Sequence, residues 1–227
     1  MPSGIGFAGR GSRPYRKYRP LPMLIFIALL GFVSVFVWLR ALANSADIDA
    51  AIRCEPPASP PPGVTYTSVG HDALDGVPPI PPGKVAVAVL NAGGARGQAS
   101  LTTEALRLLG FTEVGEPDND AAYEGRTANC RGQIRYGENG ASAARTLSLI
   151  DPCVELIRDD RKDTSVDLAI GSRFGDVTPR PEAREVLELL SSWSEERKGS
   201  GGSELSNGEN APQIDASLLE AAREAAC

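Results

Sequence analysis

The residues in this chain best suited to redox, metal or nucleophilic chemistry are four cysteines, Cys54, Cys130, Cys153 and Cys227, and a single histidine, His71. No two cysteines form a CxxC pair, and one imidazole cannot complete a Cys–His zinc site, so the spacing argues against a metal centre. No cofactor is expected either. The acidic pair Asp159 and Asp160, within RDDRKD, has the residue types of a glycosidase, but adjacent residues in a turn rarely face one substrate. That run reads as a solvated turn. No GxSxG elbow and no HExxH helix occur, so a hydrolase reading has no catalytic residues to rest on.

The remaining candidate is NAGGARG. Asn91, Gly93, Gly94, Arg96 and Gly97 lie between an apolar run and an amphipathic one, where a strand-to-helix turn can present backbone N–H groups to a phosphate or carboxylate. The pattern is neither the GxGxxG dinucleotide fingerprint nor a P-loop, since no Gly-Lys-Ser/Thr follows. The same glycines also serve a tight turn with close packing. Both readings, a ligand-contacting turn and a structural one, are carried forward.

The elements that would position this turn alternate. VAVAVL at 85–90 is apolar on both faces, as in a covered central strand. A helix is predicted over 98–109, with Leu101, Ala105, Leu108 and Leu109 as its apolar stripe and Gly110-Phe111 as its stop. Strand 132–136, an alanine-rich helix over 139–150, and strands 154–158 and 166–171 follow. Alternation of this kind predicts an α/β domain: a small, mainly parallel sheet with helices packed on it. Further helices are expected at 181–197 and 214–226, with the polar, glycine-rich stretch 198–213 as a flexible linker between them. Cys130 and Cys153 each precede a strand, so if those strands are parallel neighbours a Cys130–Cys153 bridge is geometrically feasible. Cys54 and Cys227 are then left for each other or for a partner chain.

Before this domain lies a run without charge, residues 21–39, bounded by Arg19 and Arg40. At 1.5 Å per residue, roughly 19 residues just cross a hydrocarbon core of about 30 Å. Arg10, Arg13, Arg16, Lys17 and Arg19 precede it with no acidic residue among them, which predicts a cytoplasmic N-terminus and an extracytoplasmic remainder. A cleaved signal peptide is the rival reading; the length of the run and the flanking Trp38 and Arg40 favour an uncleaved single-pass anchor in the plasma membrane. Five of the 23 basic residues precede the run and all 29 acidic residues follow it, leaving a net charge of −11 on the C-terminal part. Such a surface repels nucleic acid. Cysteines confined to that part fit an oxidising compartment. The expected organisation is therefore a basic tail (1–20), a membrane helix (21–40), a proline-rich stalk carrying His71 (41–83), the α/β domain (84–176) and a helical, flexible acidic tail (177–227).

VAVAVLNAGGARGQASLTTEALRLLGF, with the later IRYGENGASAARTL and DLAIGSRF, resembles the LytR C-terminal domain family: a strand, an Asn-x-Gly-x-x-x-Gly turn, a helix ending in Gly-Phe, and a closing strand ending in Gly. The resemblance covers about 84–176 and implies an actinobacterial envelope protein that helps keep the cell envelope intact. In wall ligases this domain follows a large phosphotransferase domain, for which the stalk leaves no room here. The expected function is thus a non-catalytic binding or scaffold module whose partner is a cell-wall component or an envelope protein. The alternative is an envelope enzyme acting on a glycan or a phosphate ester.

Overall fold

The computed structural model describes residues 21–93, 95–199, 212–224 and 227. The chain divides into two units, residues 1–43 and 44–227. Helix α1, Leu21–Ile52, begins in the first unit, and its segment Met23–Arg40 is long and apolar enough to cross a membrane. Every large apolar side chain there, from Met23 to Leu39, is exposed.

The second unit is built on a sheet whose strands, in chain order, are β1 (Thr67–Val69), β2 (Val87–Asn91), β3 (Asp118–Asn119), β4 (Gly132–Tyr136), β5 (Glu155–Arg158) and β6 (Val166–Ile170). Among the described residues they lie in the order β1-β5-β4-β6-β2-β3. The pairs β2·β3, β2·β6 and β4·β5 are parallel, while β4·β6 and β1·β5 are antiparallel. The sheet is therefore mixed. Strand β6 does not continue the parallel series but enters the middle of the sheet, where it pairs β2 on one side and β4 on the other.

Side chains alternate across this sheet. One face gathers Val87, Val89, Ile134, Tyr136, Leu156, Val166, Leu168 and Ile170 into a core with α2 (Gln98–Leu108), α3 (Ala141–Ser148) and Leu187 of α4 (Pro181–Gly199). Ala143 and Ala144 let α3 approach closely, as the sequence predicts. The interior register of α2 differs from the predicted stripe. Ala99, Thr102, Thr103 and Leu106 are buried, and Leu101 and Leu108 stand 73% and 89% exposed. Both sets follow helical spacing, so periodicity alone does not choose between them.

The segment expected as a stalk is instead part of the domain. Strand β1 adds to the sheet edge at β5, Leu74 is buried in the main core, and Ser59 N donates to Ala122 O at 3.0 Å. Prolines deny the segment helix and most ladder bonds but leave it free to lie extended on a neighbour. Helix α4 and helix α5 (Ala216–Arg223) also pack, through Ala183, Val186, Leu190, Leu149 and Ala222. The predicted linker lies largely outside the described residues.

The disulfides correct the predicted pairing: Cys54 joins Cys130 and Cys153 joins Cys227, with Cα–Cα distances of 4.8 and 5.4 Å. The premise for Cys130–Cys153 holds, since β4 and β5 are parallel neighbours with Gln133 opposite Glu155. The cysteines, however, stand three and two residues before that rung, and an odd offset puts them on opposite faces. Cys130 accordingly packs with Ala92, Ala122, Tyr123, Ala128 and Ala169 on the second face. Each bridge closes a long loop, with separations of 76 and 74 residues, worth about 4 kcal/mol by the chain-entropy relation. Non-reducing peptide mass mapping is expected to recover the peptides Cys54–Cys130 and Cys153–Cys227, and the double variant C54S/C130S should unfold at least 10 °C earlier than the wild type. Recovery of a Cys130–Cys153 peptide would contradict the arrangement.

Candidate functional site

The glycine turn is held on every side by its own domain. Asn91 Oδ1 accepts from Gly93 N at 3.1 Å, which closes the turn on itself. Ala92 N donates to Ile170 O and Ala92 O accepts from Ala128 N. Gly93 has φ +125°, and a Cβ placed there would lie 2.6 Å from Thr127 Cγ2 and 2.9 Å from Thr127 Cα. Gly97, at φ +81°, faces open space and starts α2. Gln98 completes the clasp: its Oε1 accepts from Ala95 N at 3.0 Å and its Nε2 donates to Phe174 O at 2.8 Å. Arg96 is exposed, and Gly94 lies outside the described residues. A small hollow of about 150 Å³ beside the turn is lined by Asn91, Gly97, Ser100 and Asp118 among others, and the carboxylate of Asp118 opposes an anion there. The geometry fits the structural reading of these glycines better than the ligand-contacting one.

A second constellation, buried at Arg135, Asp120, Gln133 and Glu155, lies on the polar face of the sheet. Arg135 donates from Nη1 and Nη2 to the two oxygens of Asp120 at 2.9 and 2.6 Å, and from Nε and Nη2 to Gln133 Oε1. Gln133 Nε2 donates to Glu155 Oε2 at 2.7 Å, which also accepts from Cys54 N, while Glu155 Oε1 accepts from Ser68 Oγ. The Arg135 guanidinium lies 4.9 Å from the Tyr66 ring centroid and 5.9 Å from that of Tyr123. Burial alone would lower the Arg135 pKa, but the bonded Asp120 outweighs it and holds it above the usual value. Burial pushes the Tyr123 phenol up to about 12. With every donor of the Arg135 guanidinium matched, this cluster binds the fold together.

Asp159 and Asp160 are absorbed in the same way. Asp159 accepts from Arg161 N and Nε, Arg161 continues to Asp167, and Asp160 Oδ2 accepts from Thr65 N at 2.8 Å. The pair thus serves two separate structural bonds.

A third constellation was not read from the sequence. A cleft of about 690 Å³ is lined by Ile48, His71, Asp75, Arg145, Leu219 and Arg223, with others at its rim. Arg145 of α3 and Arg223 of α5 both donate to Asp75 Oδ1, the former at 2.7 Å, and Arg223 Nη2 donates to His71 O at 2.6 Å. His71, expected as an exposed stalk residue, is half-buried: its backbone N donates to Asp49 Oδ1 and its ring Nε2 donates to Pro152 O at 2.9 Å. Burial and the nearby Arg223 charge keep the imidazole below its usual pKa. Arg145 and Arg223 are far in sequence from each other and from the loop that carries His71 and Asp75, and the packing of α5 against α4 and Leu149 brings them together.

Comparison with known proteins agrees with this architecture. The family described as LytR cell envelope-related transcriptional attenuator matches residues 84–174, the core of the sheet with α2 and α3. The soluble domain of a conserved hypothetical secreted protein from Mycobacterium marinum, known from a crystal structure, is 32% identical, with a TM-score of 0.58 over 71% of this chain and 97% of that one. The cell envelope integrity protein Cei of Mycobacterium tuberculosis is 37% identical over 191 residues, 82% of this chain and 87% of that protein. The chain belongs to the family of Cei, and its role is envelope-associated.

Substitutions in the turn measure how tightly the domain packs against it. Gly93→Ala meets both a left-handed backbone and the Thr127 side chain, so a loss of about 2–3 kcal/mol is expected, against about 1 kcal/mol for Gly97→Ala, which meets only the backbone term. Thermal unfolding of the two variants checks this; equal losses would mean that Thr127 gives way freely.

Proposed function

We propose that this chain is a membrane-anchored, extracytoplasmic binding and scaffold protein that contributes to cell-envelope integrity without catalysis. In this reading the apolar segment of α1 spans the plasma membrane, residues 1–20 stay in the cytoplasm, and the unit 44–227 lies outside. The basic cluster before the helix and the two disulfides after it support that orientation. The name of the Cei relative supports the envelope role.

The observation that carries the binding role is the exposed face of α2. The helix buries Thr102 and Thr103, with Thr103 Oγ1 lacking a hydrogen-bond partner among the described residues, and turns Leu101 and Leu108 to solvent. A helix free to choose by hydrophobic burial alone would do the reverse, since each exposed leucine forgoes about 2 kcal/mol. Leu101 and Leu108 lie two turns apart on one face, a spacing at which a helix docks on an apolar partner surface. The partner that fits is an envelope protein with an apolar patch, because sugars and phosphates gain little from leucine.

The reading is tested with the full-length double variant L101E/L108E in cells that lack the endogenous copy. Exposed positions of this kind change stability by no more than about 0.5 kcal/mol each, so normal membrane levels are expected, together with failure to restore resistance to detergent and lysozyme. Full restoration of resistance at wild-type protein levels would overturn the α2 surface as the site of action.

A further inference from the structure

The cleft between α3, α5 and the loop carrying His71 and Asp75 holds two buried guanidiniums that are less fully paired than the one at Arg135. Arg145 and Arg223 are only 2% and 6% exposed, yet beyond the one bond from Arg223 to His71 O the two guanidiniums share one oxygen of one carboxylate, and the side chain of Asp75 is itself 54% exposed. Both Nε groups are buried with no hydrogen-bond partner among the described residues. An unsatisfied buried donor costs about 1–3 kcal/mol, more on a charged group. Elsewhere the domain matches its buried guanidinium in full, as Arg135 shows with Asp120 and Gln133. Burial, and for Arg145 the proximity of Arg223 as well, holds both guanidiniums below their usual pKa, the sign of a charge pair that is under-compensated. Arginine nevertheless stays protonated. The nearby acids do not remove the imbalance: Asp49 accepts from His71 N, the exposed Asp72 acts on Arg223 only through space, and Glu220 and Glu224 stand exposed at the rim, none of them hydrogen-bonded to either guanidinium among the described residues.

We propose that this cleft is a phosphate-binding site in which Arg145 and Arg223 hold the anion, with His71 forming its wall. Two guanidiniums carried on different helices bring several separate donors to one cleft, which suits an anion with several acceptor oxygens, as a phosphate has. The cleft exceeds the size of a bare phosphate, so there is room for a phosphate carried on a larger molecule. The site depends on α5, which the Cys153–Cys227 bridge ties to the turn before β5, and it is independent of the leucine face of α2.

The test uses the full-length protein, purified oxidised in a phosphate-free maltoside detergent. Calorimetric titration measures binding of inorganic phosphate and, separately, of dioctanoyl phosphatidic acid, against sodium chloride at matched ionic strength. Binding of either probe by the wild type is expected, with at least about tenfold weaker binding by R145Q and by R223Q, the loss of one charge-assisted hydrogen bond. Each single variant leaves Asp75 paired with the other arginine, so folding is retained, and the unfolding temperature in chloride verifies it. Binding of phosphatidic acid alone assigns the site to a lipid headgroup, and comparable binding of both probes assigns it to the phosphate group itself. Absence of binding by the wild type, or undiminished binding by both variants, overturns the proposal.

Discussion

Arg135 puts a full positive charge at the centre of the second face of the sheet, 1% exposed, and such a charge costs several kcal/mol to bury unless it is paired and hydrogen-bonded throughout. Much of the unit follows from meeting that demand. Asp120 must arrive from beyond β3, and it does so as the cap of a short turn, accepting also from Ala122 N. Tyr66 and Tyr123 must flank the guanidinium, which requires the segments on either side of them to lie over the sheet. The Cys54–Cys130 bridge joins those two segments at the edge where Glu155 and Gln133 continue the network. The second face is thus closed by extended chain and polar bonds, whereas the first is closed by helices and apolar contact.

The difference between the faces explains which parts of the fold were legible in the sequence. Strands β2, β4, β5 and β6, and helices α2 and α3, lie within a few residues of their predicted positions because their hydrophobic periodicity reports burial on the helix-covered face. The covering of the other face gives no such signal. Strand β1 is three residues long among prolines, and β3 is two, so neither has a period to read. The stalk reading of 41–83 failed for the same reason: Tyr66, Ser68 and Cys54 bind the domain through hydrogen bonds, a ring–cation contact and a sulfur bridge, none of which appears as patterning. Had Gln133, Arg135, Glu155 and Asp167 been read as one alternating polar set, they would have signalled that face.

The cysteines show how far a correct topological guess reaches. That β4 and β5 are parallel neighbours was legible from the intervening helix, and it does place Cys130 and Cys153 at one edge. Pairing depends further on which face each residue leaves, and a single-residue offset reverses that. With Cys130 committed to the second face beside Cys54, Cys153 is left to α5, and so the same parity decides where the C-terminal helix docks.

Where polar groups are buried, their satisfaction separates structural roles from others. The guanidiniums of Arg135 and Arg161 are saturated, and the residues that pair them explain themselves as parts of the fold. Buried side-chain groups without partners among the described residues are Thr103 Oγ1, Tyr123 Oη, Arg145 Nε and Arg223 Nε; native structures hold few of these, and each calls for an account. Tyr123 Oη lies at the margin of a network that is otherwise complete. Thr103 sits beneath a helix that faces its leucines outward, and the two arginines share one cleft and one carboxylate. A fold that satisfies one guanidinium in full on its polar face has the means to satisfy others, so two left short together are explained better by something the cleft receives than by a failure of packing.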